Sequence, residues 1–95
     1  MALRKSETAL HETERILKAL ANRRRLTIAR FLAKQKEATV GEVSEAIHLS
    51  FKATSKHLAI LATSNIVDRD QRSIQAYYRL SINIPVLAKH IISIL

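Results

Sequence analysis

The sequence predicts a mainly α-helical domain that carries a small β-hairpin and closes on one further helix, and three observations predict it. The aromatic fraction is only 4%, so the core must be built from Leu, Ile, Val and Ala, which suits packed helices better than a large sheet. From Leu49 to Val67 runs a short amphipathic helical segment, LSFKATSKHLAILATSNIV. It leads directly into a charged strand-turn-strand, DRDQRSIQAYYRL. The 95 residues make one domain over residues 1–95, and a chain of this size buries only about 60 to 65% of its unfolded surface by itself. Further burial in a dimer would help it.

The elements follow in order. Leu10, Thr13, Leu17, Leu20 and Ala21 form one stripe of a first helix over about Thr8–Ala21, with Glu7, Glu12 and Glu14 near the end where acidic residues complement the helix dipole. Asn22 interrupts with a residue suited to capping. A second helix over about Arg23–Lys34 then buries Leu26, Ala29, Phe31 and Leu32 and makes a helical hairpin with the first. Thr39 and Glu42 have capping-box spacing, which predicts a short third helix over Val40–Ile47. His48, Leu49 and Ser50 supply the turn that follows.

In the fourth helix Phe51, Thr54, Leu58 and Leu61 recur at helical spacing as a buried face, leaving Lys52, Ala53, Lys56 and Ala59 on the other. That helix should stop near Ser64, because Asn65 is the residue other than glycine most able to take a left-handed cap. Ile66 and Val67 open a strand, Gln71, Arg72 and Ser73 lie near a hairpin tip, and the return strand runs from about Ile74 to Leu80. No glycine sits at the tip, so the turn type stays open. Asn83 and Pro85 mark the start of a last helix, where Leu87, Ala88, Ile91, Ile92 and Leu95 make an apolar stripe. On so short a chain that stripe is excess apolar surface. It either packs on its own domain or pairs with the first helix across a twofold dimer, and the second is the preferred reading. The predicted order is ααααββα, without repeat, linker or low-complexity segment.

Sixteen Lys and Arg against eight Asp and Glu give a formal net charge of +8, a strong positive potential around a small body. A polyanionic partner is the direct implication, against the plain alternative of a basic surface with no such role. There is no cysteine, which excludes disulfides, thiolate zinc sites, iron-sulfur ligation and cysteine nucleophiles in these residues. No apolar run approaches the roughly 18 residues needed to span a bilayer, and the N-terminus, MALRKSETAL, holds no signal-peptide core. A cytoplasmic, nucleoid-associated location is therefore expected. Catalysis is not: the only glycine is Gly41, so there is no glycine-rich loop, and Ser55 and His57 would point to different sides of a helix. No cofactor is expected either.

Four segments, LKALANRRRLTIARFL, VGEVSEAIHLS, SKHLAIL and AYYRL, in this order and spacing over about Ile16 to Leu80, together resemble the arsenic-repressor (ArsR/SmtB) winged helix-turn-helix transcription regulators. The resemblance implies a homodimer held by its first and last helices, with Leu10, Leu17, Leu87, Ile91 and Leu95 at the interface. It also implies binding to an inverted repeat in promoter double-stranded DNA, usually with repression. The metal sites of that family are missing. Thr39 and Gly41 stand where a cysteine pair would precede Glu42, and Ser81 to Ile84 offer no carboxylate or imidazole ahead of His90. His57 matches a recognition-helix histidine, which implies a DNA-backbone or packing role. His48 should be solvated in its turn. His11 and His90 lie on helices that the family brings together across the dimer, so an intersubunit pair stays open beside two exposed histidines.

Phe51 stands where the family is often polar and is read as a hydrophobic anchor of the helix start. Base reading then rests on Lys52, Ala53, Ser55 and Lys56: lysine can contact guanine, serine either base type, and alanine the thymine methyl. The hairpin becomes a wing, with Arg72 at its tip reaching a minor groove or phosphates and Arg69 and Arg79 more shielded. Two other readings remain, a non-specific architectural DNA-binding protein and a winged-helix module for protein contacts. The lysines of the recognition face argue against the second.

Overall fold

Three of the helix starts are set by capping side chains, and these fix where the chain turns. The computed structural model describes residues 5–95; the N-terminal signal-peptide reading falls partly on residues 1–4, outside the described residues. Within them the order is α1 (Lys5–Leu20), α2 (Arg23–Lys34), β1 (Ala38–Thr39), α3 (Val40–Ile47), α4 (Phe51–Thr63), β2 (Val67–Arg72), β3 (Gln75–Leu80) and α5 (Val86–Ser93). The side chain of Asn22 accepts from Arg25 N–H at the start of α2, and Ser50 accepts from Ala53 N–H at the start of α4. Thr39 and Glu42 form the expected reciprocal box on α3, with bonds of 3.2 and 2.8 Å.

The helix ends are equally explicit. Asn65 takes φ 60°, Asn65 N–H donates to Ala62 O and Ile66 N–H to Leu61 O, the paired bonds of a Schellman stop. His48 does the same for α3 with φ 56°, through His48 N–H to Glu45 O and Leu49 N–H to Ser44 O. Arginines close two ends: Arg15 Nη1 donates to Thr63 O at the end of α4, and Arg25 serves α1. Arg25 donates to the carbonyls of Lys18 and Ala19, while Ala21 and Asn22 N–H groups take those of Leu17 and Leu20. All four orphan carbonyls of α1 are thereby satisfied.

The hairpin is part of a three-stranded antiparallel sheet in the order β1-β3-β2. Its first strand was not expected: Ala38 and Thr39 pair with Tyr78 and Tyr77, and two residues carry no readable period. Pairing of β2 with β3 runs from Val67↔Leu80 to Arg72↔Gln75, so the turn is Ser73-Ile74. Ser73 takes φ 56° and Ile74 does not share the positive sign, the pattern of a II′ turn whose first position glycine usually fills. Directly opposed residues share a face. Arg69, Gln71 and Ala76 therefore lie on the side of buried Tyr78, while Asp68, Asp70, Tyr77 and Arg79 lie on the other.

The core joins α1, α2, α3, α4, the sheet and α5 through Ile16, Ile28, Val43, Leu58, Leu61, Ile66 and Ala88, among others. Thr54, Leu58 and Leu61 of α4 are completely buried, and Thr54 Oγ1 is satisfied by donating to Ser50 O at 2.8 Å. Phe51 departs from the expected buried face. It is 62% exposed, because the first turn of α4 runs to the edge of the sheet rather than over the core. In α1 the inward residues are Ile16, Ala19 and Leu20; of the expected stripe Leu20 is thus buried, while Leu10 and Leu17 are 70% and 46% exposed. The apolar stripe of α5 is divided: Ala88 and Ile92 are buried, Leu87 and Ile91 are half-buried, and Val86, Ile94 and Leu95 are exposed.

Leu58 has no exposed surface, so Leu58→Ala should remove its transfer energy and leave a cavity, a cost of about 2 to 5 kcal/mol. Chemical denaturation should report a loss in that range. A loss below about 1 kcal/mol would show that α4 is not anchored as described.

Candidate nucleic-acid interface

Two helices and a sharp turn lie ahead of the wing. Helix α3, the turn at His48 to Ser50, and α4 place one side of α4 in the core, so the opposite side faces outward by helical phase. Lys52 and Lys56 are exposed there, and neither has an ion-pair partner among the described residues. Ala53 and Ser55 are half-buried on the flanks. A groove of about 350 Å³ separates α4 from the wing, lined by Phe51, Ser55, Arg69, Gln71, Ile74 and Tyr78, among others. The structure thus brings Ser55 and Arg69 together and adds Phe51, whose exposure the sequence reading missed.

Arg72 has a different setting from the one the sequence suggested. Its Nη1 and Nη2 donate to the two carboxylate oxygens of Glu37 at 2.8 and 2.6 Å, and its Nε donates to Asp70 Oδ2 at 2.8 Å. Its guanidinium also lies 4.5 Å from the centre of the Tyr77 ring. The bond from Arg72 holds the Glu37 carboxyl below its ordinary pKa, with a smaller opposing effect of burial. Strand alternation is the cause: Asp70 and Tyr77 occupy the outer face of the wing, and Arg72 turns back onto it rather than standing free at the tip. Arg79, half-buried, lies on that outer face as well. Arg69 is exposed, with Nη2 donating to the neutral Gln71 Oε1 at 2.7 Å. It is the wing cation on the groove side.

His57 is half-buried and meets Arg25 of α2, with Arg25 Nη1 3.2 Å from His57 Nδ1. A guanidinium only donates, so Nδ1 accepts and the ring proton resides on Nε2. Burial, then the positive charges of Arg25 and Arg24, lower the pKa of His57 and keep it neutral at physiological pH. Arg25 therefore ties the last turn of α1 to the middle of α4. The sequence held one signal for it: three consecutive arginines at the start of α2 oppose the helix dipole, a placement that favours side chains able to reach carbonyls elsewhere. His11 and His90 are both exposed. Among the described residues no group of three or more His, Cys, Asp or Glu is placed to hold a metal ion, and no helix is long and apolar enough to cross a membrane.

The helix-turn-helix with its outward lysines, followed by a hairpin beside the second helix, defines a winged helix-turn-helix domain. The chain belongs to the arsR family of bacterial regulatory proteins, whose family model matches residues 22–69, from the cap of α2 into β2. It is 41% identical over 66 residues to the transcriptional activator HlyU of Vibrio cholerae, a match covering 70% of this chain and 60% of that relative's length. Reduced HlyU from the same organism superposes with a TM-score of 0.80 at 34% identity, covering 98% of this chain and 94% of that one. The homodimeric winged helix-turn-helix DNA-binding domain of Mb0332 from Mycobacterium bovis gives 0.81 at 27% identity, covering 99% and 85%. The transcriptional repressor BigR from Xylella fastidiosa gives 0.77 at 27% identity, covering 100% and 93%. These likenesses, and the family itself, are of regulatory proteins rather than enzymes.

The bond between Glu37 and Arg72 fastens the wing to the segment before β1. The folded pKa of Glu37 is lowered, so this contribution is complete above the ordinary carboxylate range near pH 4 and is lost only as pH falls through the lowered value. Glu37→Gln should loosen the wing at neutral pH, read as reduced heteronuclear NOE values over residues 70–76, while the unaltered protein keeps a rigid wing down to about pH 5. An equally rigid wing in the variant would show that the contact does not fasten it.

Proposed function

We propose that the protein is a homodimeric transcriptional repressor that binds an inverted-repeat operator and acts by occupying it. The observation that carries this reading is the pair of lysines without ion-pair partners, Lys52 and Lys56, on the outward side of a core-anchored α4, beside a groove shared with Arg69 of the wing. A helix of this kind fits the major groove, where Lys52 and Lys56 would meet guanine edges or phosphates, Ser55 a base edge, and Ala53 a thymine methyl. His57 would donate its Nε2 proton to a phosphate, since Nδ1 is engaged by Arg25. Arg69 would enter the adjoining minor groove or meet its phosphates. With two carboxylates on it, Arg72 would chiefly hold the wing's angle and add little net charge towards DNA.

The dimer would form through α1 and α5, which pack together within one chain. Leu10, Leu17 and Leu95 are exposed beside half-buried Leu87 and Ile91, with Val86 and Ile94 also uncovered. That is an apolar surface in need of a partner, and a twofold axis covers it with a copy of itself. The twofold would set two α4 helices to read half-sites about 34 to 36 Å apart. The named homodimer among the relatives supports this arrangement. One relative is named an activator and another a repressor, so a reporter assay fixes the sign: loss of the gene should raise transcription from the bound promoter, and a fall would overturn repression. No thiol is present among the 95 residues, so thiol-disulfide chemistry is not the proposed signal. The site of action would be the cytoplasm, at the nucleoid.

Selection of genomic fragments by the purified protein tests the whole reading. It should enrich inverted repeats with about 10³-fold or greater preference over random DNA at physiological salt. Uniform recovery would make it an architectural coat, and no recovery would leave a protein-contact module.

On a selected operator, Lys56→Ala and, less strongly, Lys52→Ala should each weaken binding, by about 1 to 3 kcal/mol where guanine is contacted. Unchanged affinity of the folded double variant in a fluorescence anisotropy titration would remove α4 from the interface.

Ile91→Lys would strand a charge in the dimer contact but also strain the core. Leu10→Lys alters a side chain already 70% exposed in the single chain and should give a folded monomer by analytical ultracentrifugation. A native dimer from the Leu10 variant would place the interface elsewhere.

A further inference from the structure

A second cavity, of about 550 Å³, lies between the end of α2, the β3-α5 connection and α5, with no residue of α1 in its lining. Leu80, Ile84 and Ile92 contribute apolar wall, and Arg30, Lys34 and Lys89 supply three cations. None of these cations has an ion-pair partner among the described residues, and no acidic side chain lines the cavity. Ser81, 8% exposed at the same cavity, accepts a hydrogen bond from Asn83 N–H but has no acceptor for its own hydroxyl proton among the described residues. An apolar wall with convergent unused donors and a net positive rim is the chemistry of an anionic amphiphile, and the volume falls within the range of about 300 to 1,000 Å³ for small-molecule sites.

We propose that this cavity is a binding site for a small dissolved organic anion with an apolar tail. The tail would lie along Leu80, Ile84 and Ile92, and the anionic head among Arg30, Lys34 and Lys89, within reach of the Ser81 hydroxyl. Charge complementarity selects this occupant. A second copy of the chain is the poorer fit: Leu95, at one edge of the cavity, is shared with the proposed dimer face, but helical phase puts Lys89 and Ser93 on the opposite side of α5 from Leu87 and Ile91. A twofold contact through this cavity would also bring like charges together. The site stands apart from operator recognition, so its test uses no DNA.

The full chain, labelled with ¹⁵N, is titrated with decanoate below its micelle concentration, with decyltrimethylammonium of the same tail length, and with inorganic phosphate. Decanoate should produce saturable shifts in amides of residues 30–34, 80–84 and 89–93. The cation with the same tail and the anion without one should each bind at least about tenfold weaker, since each lacks one half of the recognition. Lys34→Gln with Lys89→Gln, both at exposed positions, should weaken decanoate by about tenfold while leaving the rest of the spectrum native. No shifts in these segments, equal binding of decyltrimethylammonium, or unchanged affinity of the folded double variant would each overturn the proposal. Shifts of amides 30–34 and 80–84, which lie outside the proposed dimer contact, on simple dilution of the protein would show that a second copy covers the cavity, and would overturn it too.

Discussion

Leu58 and Leu61 are buried completely, in one core with Ile28, Val43 and Ile66, and this sets the rotation of α4 about its own axis. At about 100° per residue, a slip of one position would carry Ala59 and Ala62 to the centre and leave two leucines in water. A larger slip would bring Lys52 or Lys56 inward, where a charge without a partner is far costlier than a misplaced leucine. Two penalties of different origin thus fix one orientation. The outward lysines follow from the inward leucines.

The wing obeys a second constraint of the same kind. Period-two alternation puts Arg69 on the face of Tyr78 and Asp70 on the face of Tyr77, so cations at 69 and 72 meet different surroundings. Arg72 finds Glu37, Asp70 and an aromatic ring on the outer surface, whereas Arg69 borders the groove beside α4. Two arginines three residues apart in sequence therefore contribute differently. One holds the hairpin to the body, and the other leaves its charge available beside Ser55 and Phe51.

Much of this was legible because it is local. Asn22, the Thr39 and Glu42 pair, and Asn65 act within four residues of where they stand, and each sits where its spacing implied. The heptad-like spacing of Thr54, Leu58 and Leu61 revealed the core side of α4 for the same reason. What escaped is non-local. Arg72 meets Glu37 across 35 positions, and Arg25 meets His57 across 32, distances over which no period carries information. Phe51 shared the spacing of the core face, but spacing cannot say where the core stops along the helix axis. In α1 the stripe of Leu10, Thr13, Leu17, Leu20 and Ala21 divides: Leu20 joins Ile16 and Ala19 in the core, whereas Leu10 and Leu17 are exposed, because apolar spacing alone does not say which part of a stripe the chain covers itself.

Arg25 joins the parts that separate arguments treat apart. Its three donor nitrogens reach Lys18 O, Ala19 O and His57 Nδ1, so the end of α1 and the middle of α4 share one planar group. The guanidinium fork is rigid, and its bonds to α1 cannot tilt without moving the nitrogen that faces His57. Desolvation keeps that imidazole neutral and able to accept, so the linkage persists at physiological pH. Helix α1 carries the exposed Leu10 and Leu17, and α4 carries Lys52 and Lys56. A partner that seats against α1 is therefore mechanically connected to the lysine-bearing helix through Arg25, beside the bond of Arg15 Nη1 to Thr63 O and the shared core. In so small a domain, the proposed pairing surface and the proposed DNA surface need no longer route than that.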